Sequence, residues 1–222
     1  MYSVPPMLER HREEVAQACR ALAAAGLVAG TSGNLSAREG DAIAVTATGA
    51  VLAEMTAEQV TVVDLGGTVI EGPAPTSEIA LHLGVYERYG AGAVVHTHAP
   101  VATALSLVLD ELPLVHYEML LLGGAIRVAP YRTFGTPELA ESVLEALEGR
   151  TAAIMANHGT VAYGSDIAGA VRATELLEWA ATIYWRAAQV GTPRVLDEAA
   201  RRAVVEAAVA RNYGSTRQVG DE

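Results

Sequence analysis

The chain contains no lysine: all 15 of its basic residues are arginine. Without a lysine amine there can be no Schiff base, so aldol-type carbonyl chemistry would need another electrophile, such as a metal ion. Cysteine is nearly as scarce. The single Cys19 excludes an internal disulfide and reads as a small buried apolar side chain in a helical stretch. Basic charge is outnumbered, with 15 Arg against 26 Asp and Glu and a net charge of −11. That balance argues against a nucleic-acid binder, which needs cations to replace phosphate counterions, and against a membrane-surface helix. No apolar run is long enough to span a bilayer. The first residues, MYSVPPMLERHREE, hold no apolar signal core, so the expected location is the cytoplasm. Aromatic residues are few, leaving Ala, Val and Leu to fill the interior.

There is ample apolar material, 51% of 222 residues, and the length suits one domain over residues 1–222. Repeats, low-complexity tracts and linkers are absent. Periodicity and stop signals predict an amphipathic helix over residues 6–25, ended by Gly26. A polar turn, TSGNLS, follows at residues 31–36. Strands are predicted over 42–46 and 60–64, the latter returning through Gly66-Gly67 into 68–71. The segment PAPTSE breaks the chain. Thr76 or Ser77 then caps a helix running to Tyr89 with Glu78 in its first turn. Further strands are predicted over 93–97, 114–117 and 125–128, with a short helix over 100–109. Thr136-Pro137 opens a helix ending near Gly149. An apolar strand at 152–156 ends in Asn157-His158-Gly159, and long helices over 166–189 and 197–211 complete the chain. The interleaving of helices and strands means α/β or α+β.

The strongest chemical signal is Val94-Val95-His96-Thr97-His98. Side chains two apart on a strand leave the same face, so His96 and His98 can offer two imidazoles to one metal. His158, at a strand end, is the candidate third ligand and Glu78 the fourth. A bare H-x-H also arises by chance, His158 could be a turn residue, and Glu78 near a helix start has a sufficient reason in the macrodipole. His11 reads as solvent-exposed, and His82 and His116 as structural. Three hydroxyl- and glycine-rich stretches, residues 31–34, 46–49 and Thr76-Ser77, could present neutral donors to an anion. None matches a P-loop or dinucleotide fingerprint, and each alone reads as an ordinary turn.

Taken in order, GLVAGTSGNLS, AIAVTATG, PAPTSE, AVVHTHAPVATALS, LPLVHYEMLLLGG, APYRTFGT, MANHGTVAYG and ARNYG resemble the class II aldolase and adducin family, most closely its fuculose-phosphate aldolase branch. The resemblance covers nearly the whole chain. It implies a three-layer α/β/α fold around a central, mainly antiparallel sheet, and a homotetramer with sites between subunits. It implies one Zn2+ per subunit on His96, His98 and His158, with Mn2+ or Co2+ as alternatives. Glu78 takes the place of a glutamate that is a metal ligand at rest and the acid/base in turnover. Gly33, Asn34, Thr48, Gly49, Thr76 and Ser77 fall on positions that hold a substrate phosphate. Tyr117 matches a tyrosine that acts across the subunit boundary, and Phe134 and Tyr213 match aromatic residues that position the aldehyde.

The implied reaction is cleavage of an L-fuculose 1-phosphate-like ketose 1-phosphate to dihydroxyacetone phosphate and a small aldehyde, through a metal-stabilised enediolate. Departures from that branch are Ser32 for alanine, Thr76 for serine and Asn157 for a further histidine. Within the family the alternatives are a phosphopentulose 4-epimerase and a sugar-phosphate dehydratase. Glu78 and Tyr117 favour the aldolase, since the epimerases carry aspartate at the first position. A non-catalytic adducin-like binding domain would not need every ligand position filled.

Overall fold

The strand Ala93–Thr97, fifth in chain order and labelled β5, carries apolar residues on both faces and is buried along its whole length, so it must lie at the centre of a sheet. The structure, a computed structural model, describes residues 6–211. Its elements in chain order are α1 (Pro6–Ala24), β1 (Asn34–Glu39), β2 (Ala42–Thr46), β3 (Val60–Asp64), β4 (Val69–Glu71), α2 (Ile79–Tyr89), β5, α3 (Pro100–Leu105), β6 (Glu111–Leu112), β7 (Ile126–Ala129), α4 (Pro137–Ala146), β8 (Ala152–Met155), β9 (Gly159–Gly164), α5 (Ile167–Ala188) and α6 (Glu198–Arg211). The nine strands form one sheet in the order β4-β3-β2-β1-β5-β9-β8-β7-β6. Every neighbouring pair is antiparallel except β7 with β8.

Strand alternation divides the core into two layers. Ile43, Val45, Val94, Val161 and Met155 face α2 and α4. Leu35, Ala37, Ala44 and Val95 face α1, while Ile126, Ile154 and Ala162 face α3 and α5. The result is the three-layer α/β/α arrangement with a mainly antiparallel sheet. Cys19 sits in the α1 layer, fully buried, and burial pushes its thiol up to about 12, so it is an inert apolar filler.

Several local expectations need correction. Residues 31–36 do not form a turn throughout, because Asn34 begins β1, a central strand. Its polar Asn34 and Ser36 hid the alternation, since both are buried and hydrogen-bonded to side chains of α2 or just before it. Strand β9 follows the Asn157-His158 turn directly and was hidden by glycines at both of its ends. Residues 114–117 are not a strand: the pairing falls on Glu111–Leu112, and Tyr117–Leu122 forms a 3-10 helix. The helix over 100–109 stops at Leu105. Glu78 is the N-cap of α2 rather than a first-turn residue, and its side chain caps nothing, being drawn into the sheet instead. His11 is half-buried against Glu39, with Nδ1 to Oε2 at 2.8 Å.

Candidate active site

The register places the candidate ligands. Asn34 of β1 lies opposite His96 of β5, and His96 lies opposite Val161 of β9. His98 falls one residue past the end of β5, and His158 occupies the turn from β8 into β9. Asn157 holds φ 57°, the left-handed region that asparagine tolerates better than most residues, and this turns His158 toward the sheet centre. Gly159 is required next. A Cβ there would stand 2.3 Å from the Thr97 carbonyl oxygen and 3.0 Å from the His98 ring. Gly33, at φ +87°, is similarly confined: a Cβ there would stand 2.8 Å from the His96 carbonyl oxygen.

One nitrogen from each of His96, His98 and His158 can be chosen so that all lie within 4.8 Å of one another. His98 Nε2 is 3.2 Å from His96 Nε2. His96 Nδ1 donates to the Thr160 carbonyl at 2.8 Å, which leaves its Nε2 bare and facing the cluster. Glu78, 6% exposed, completes the group. Its Oε2 accepts from Asn34 Nδ2 at 2.9 Å and lies 3.1 Å from His96 Nε2. Its Oε1 is buried without a hydrogen-bond partner, 3.5 Å from His158 Nε2.

Burial pushes the Glu78 carboxyl up, but His96, the Asn34 amide, His158 and His82 together outweigh it and leave it below its ordinary value. Burial, reinforced by the neighbouring imidazoles and opposed by Glu78, pushes His98 down to about 4. Burial and His96 likewise lower His158 against the pull of Glu78. Three imidazole nitrogens converge beside a carboxylate whose Oε1 has no hydrogen-bond partner. Three nitrogens and one carboxylate oxygen are what a divalent transition ion takes, so the residues fit such an ion.

Beside this cluster opens a cleft of about 300 Å³. Backbone pairing brings its wall together: Thr76 N donates to the Thr46 carbonyl and Thr48 N to the Ala74 carbonyl, each at 3.0 Å. Gly33, Asn34, Thr48, Gly49, Thr76 and Ser77 all line this cleft, together with Glu78, His98 and His158. Phe134 lines it too, from the loop before α4, whose Gly135 packs on Ser77. Tyr117 does not. It lines a separate apolar groove against α6, away from the cleft of its own chain. Tyr213 lies outside the described residues.

The structure adds residues that the sequence alone did not assign to the site. Tyr131, Arg132 and Asn157 line the cleft. Arg132 is the only guanidinium to do so among the described residues, and Nη1 donates to the Tyr131 carbonyl at 2.8 Å. Its signal was present in the APYRTFGT segment, where a lone cation interrupts an otherwise neutral stretch. His82, expected to be structural, bonds to Asn34 beside Glu78.

Burial, opposed by Glu78 and aided by His96, holds His82 down at about 3, against 6.5 for a free imidazole. Between those values the unfolded chain binds a proton that the folded chain refuses. Stability from this group is therefore fully present above pH 6.5 and is lost as pH falls toward 3. The slope from one such residue is at most about 1.4 kcal/mol per pH unit. The urea midpoint of metal-free protein is expected to fall from pH 7 to pH 5, and less so for His82→Asn. A midpoint flat over that range would contradict the assignment.

The fold and site define an α/β/α protein built around a three-histidine, one-carboxylate centre beneath a cradle of neutral donors. Residues 13–185 match the family model described as "Class II Aldolase and Adducin N-terminal domain". The chain is 37% identical over 196 residues to a 5-deoxy-D-ribulose 1-phosphate aldolase of Bacillus thuringiensis serovar kurstaki, covering 86% of this chain and 92% of that one. It is 36% identical to a 5-methylthioribulose-1-phosphate/5-deoxyribulose-1-phosphate aldolase of Rhodospirillum rubrum, over 94% of both chains. A solved L-fuculose 1-phosphate aldolase superimposes with a TM-score of 0.85 at 33% identity, over 92% of this chain and 97% of that one. The chain belongs to the class II aldolase and adducin family. No helix among the described residues is long and apolar enough to cross a membrane.

Proposed function

We propose that the protein is a divalent-metal-dependent aldolase that cleaves a ketose 1-phosphate to dihydroxyacetone phosphate and a small aldehyde. The observation that carries this reading is the orphaned Oε1 of Glu78 beside three converging imidazoles at the edge of a cleft lined with neutral anion donors. Relatives named for 5-deoxyribulose 1-phosphate and for L-fuculose 1-phosphate share the ketose 1-phosphate head and differ in the tail. The head is therefore what the common site would recognise, with zinc the proposed ion.

In this reading His96, His98 and His158 hold the ion, which would act as a Lewis acid and stabilise negative charge developing on the substrate's carbonyl and adjacent hydroxyl oxygens. Hydroxyls and backbone amides of Gly33, Asn34, Thr48, Gly49, Thr76 and Ser77 anchor the phosphate, turning the encounter into an oriented one. In cleavage the C4 hydroxyl loses its proton and the C3–C4 bond breaks. Its electron pair stays with the three-carbon half as an enediolate, and the other half leaves as the aldehyde. Glu78, ionised at rest, takes up a proton from solvent and delivers it to C3, while the C4 hydroxyl proton is carried away by a second group, so one proton enters and one leaves. In the reverse direction Glu78 removes that proton as the general base. Tyr117 of a neighbouring copy is proposed to exchange the C4 hydroxyl proton, which accords with its place outside the cleft of its own chain and with a homotetramer. Phe134 packs against the aldehyde half, and the family resemblance assigns Tyr213 the same task.

The test is retro-aldol release of dihydroxyacetone phosphate, coupled to its reduction, from 5-deoxyribulose 1-phosphate, 5-methylthioribulose 1-phosphate and L-fuculose 1-phosphate, with and without chelator. Release from none of them by metal-loaded protein would reject the reading and favour an epimerase or dehydratase. Arg132 is proposed to add the one cation near the phosphate. A charge-assisted hydrogen bond is worth about 1.5–3 kcal/mol, so Arg132→Ala should raise KM roughly tenfold or more and change kcat little. An unchanged KM would remove Arg132 from phosphate binding.

A further inference from the structure

Four buried polar side chains run in a line from the α2 layer to Glu78, and none of them belongs to the ligand set. Tyr86 Oη lies 2.6 Å from Ser36 Oγ, Ser36 Oγ 2.6 Å from His82 Nδ1, His82 Nε2 2.5 Å from Asn34 Oδ1, and Asn34 Nδ2 2.9 Å from Glu78 Oε2. All four are at most 5% exposed. A layer whose buried apolar cluster is aliphatic apart from Met155 and Tyr86 needs no such polar thread for packing, and every unpaired member would carry a desolvation cost.

The end of the line dictates its direction. A carboxylate only accepts, so the Asn34 amide must turn its NH2 toward Glu78 and its oxygen toward His82. Two acceptors cannot bond, so His82 Nε2 carries a hydrogen. Both ring bonds of His82 go to neutral partners, with no carboxylate to hold a second proton, so Nδ1 is bare. Ser36 must then spend its only hydrogen on Nδ1, and its oxygen accepts from Tyr86. Each donor has one acceptor, and reversing any link would set Asn34 Oδ1 against the Glu78 carboxylate. Residue spacing lines the members up. Positions 78, 82 and 86 fall four apart along one stripe of α2 and its N-cap, opposite Asn34 and Ser36 on alternate positions of β1.

We infer that His82 is a positioning residue for the base: as the Nε2–H tautomer it locks the Asn34 amide, which ties one oxygen of Glu78 and leaves the other presented to the histidine cluster. The catalytic consequence rests on the proposed role of Glu78, whereas the tautomer is a property of the fold and can be read without turnover.

The first experiment is an imidazole 15N spectrum of metal-loaded, histidine-labelled protein at neutral pH, with the His82 signals assigned by their loss in His82→Gln. A protonated Nε2 and bare Nδ1 are expected; a protonated Nδ1 overturns the inference. The second compares His82→Leu with His82→Gln, which keeps an N–H donor near Nε2. Outer partners of metal sites typically cost about 10–100-fold, so Leu should lower kcat and zinc affinity by about that factor with KM little changed, and Gln should recover most of both. Zinc affinity is read by competition with a chromophoric chelator. Equal losses in the two variants, or zinc affinity unmoved in Leu, overturn the positioning role. If the Leu variant does not fold, the spectrum and the Gln variant decide. If the parent cleaves no ketose 1-phosphate, the proposed function fails while the tautomer and the zinc affinities still test this inference.

Discussion

Glu78→Gln is expected to leave a folded protein that retains much of its metal and cleaves its substrate about a thousandfold more slowly, within the 10²–10⁴ that general acid–base catalysis supplies. The amide keeps an oxygen for the cluster and fills the same volume, so packing against Asn34 and His96 survives. What it loses is the ability to take or return the C3 proton. Glu78 lies below the ordinary carboxylate value despite its burial, so it is ionised at neutral pH: it is ready to accept the C3 proton in the synthesis direction, and in cleavage it must first take up the proton it returns. The loss should therefore fall on kcat and leave KM nearly unchanged. Metal content, measured after gel filtration, separates this outcome from a trivial loss of the ion. Turnover near that of the parent would show that another group carries the proton.

His96→Ala should remove metal and activity together. His96 is 1% exposed and bridges three elements, with Nδ1 on the Thr160 carbonyl of β9, Nε2 3.1 Å from Glu78, and its backbone in β5. Truncation deletes one ligand and removes the side-chain donor to the Thr160 carbonyl, and a buried group left unsatisfied costs about 1–3 kcal/mol. Parent protein in zinc at about 100 times its Kd should gain about 2.7 kcal/mol of stability, and His96→Ala should show no such gain at the same concentration. Activity of the parent should vanish on chelation and return with zinc; that of the variant should stay more than about a hundredfold down, beyond the usual cost of an outer partner. A variant that binds one equivalent as tightly as the parent would contradict the ligand assignment.

Much of the fold was legible in the chain. The helix start at Thr136-Pro137 was marked by capping chemistry, and the structure shows Thr136 Oγ1 accepting from Leu139 N; Asp166, read only as a helix start, proves to cap as well, its Oδ1 accepting from Gly169 N. The strand under His96 was marked by its β-branched run. Strand β1 was not legible, because burial of Asn34 and Ser36 depends on partners in α2 that lie more than 40 residues away. Strand β9 was masked because its glycines are required by close approach to neighbouring backbone, which only the sheet reveals. Arg132 gave no periodic signal, since a loop residue's place in a cleft depends on what packs against that loop. His82 did leave a trace: Glu78, His82 and Tyr86 recur at intervals of four, a polar stripe on a helix face that also had to be buried.

The sequence by itself determined the chemistry available to this protein. It has no lysine to form an imine, a histidine pair two apart at the end of a strand-forming run, one more histidine before a glycine, and neutral donors in place of cations. Those are properties of residue type and short spacing, and local covalent geometry suffices to read them. Only the tertiary structure decided that they meet. Strands β1, β5 and β9 are neighbours in the sheet although far apart in the chain, and their antiparallel registers set Asn34 beside His96 and bring the turn at His158 to the end of β5. A shift of one residue in either register would turn those side chains to the opposite layer. That register is held by the alternation of buried residues along whole strands, a cooperative property of the packed sheet rather than of any one motif.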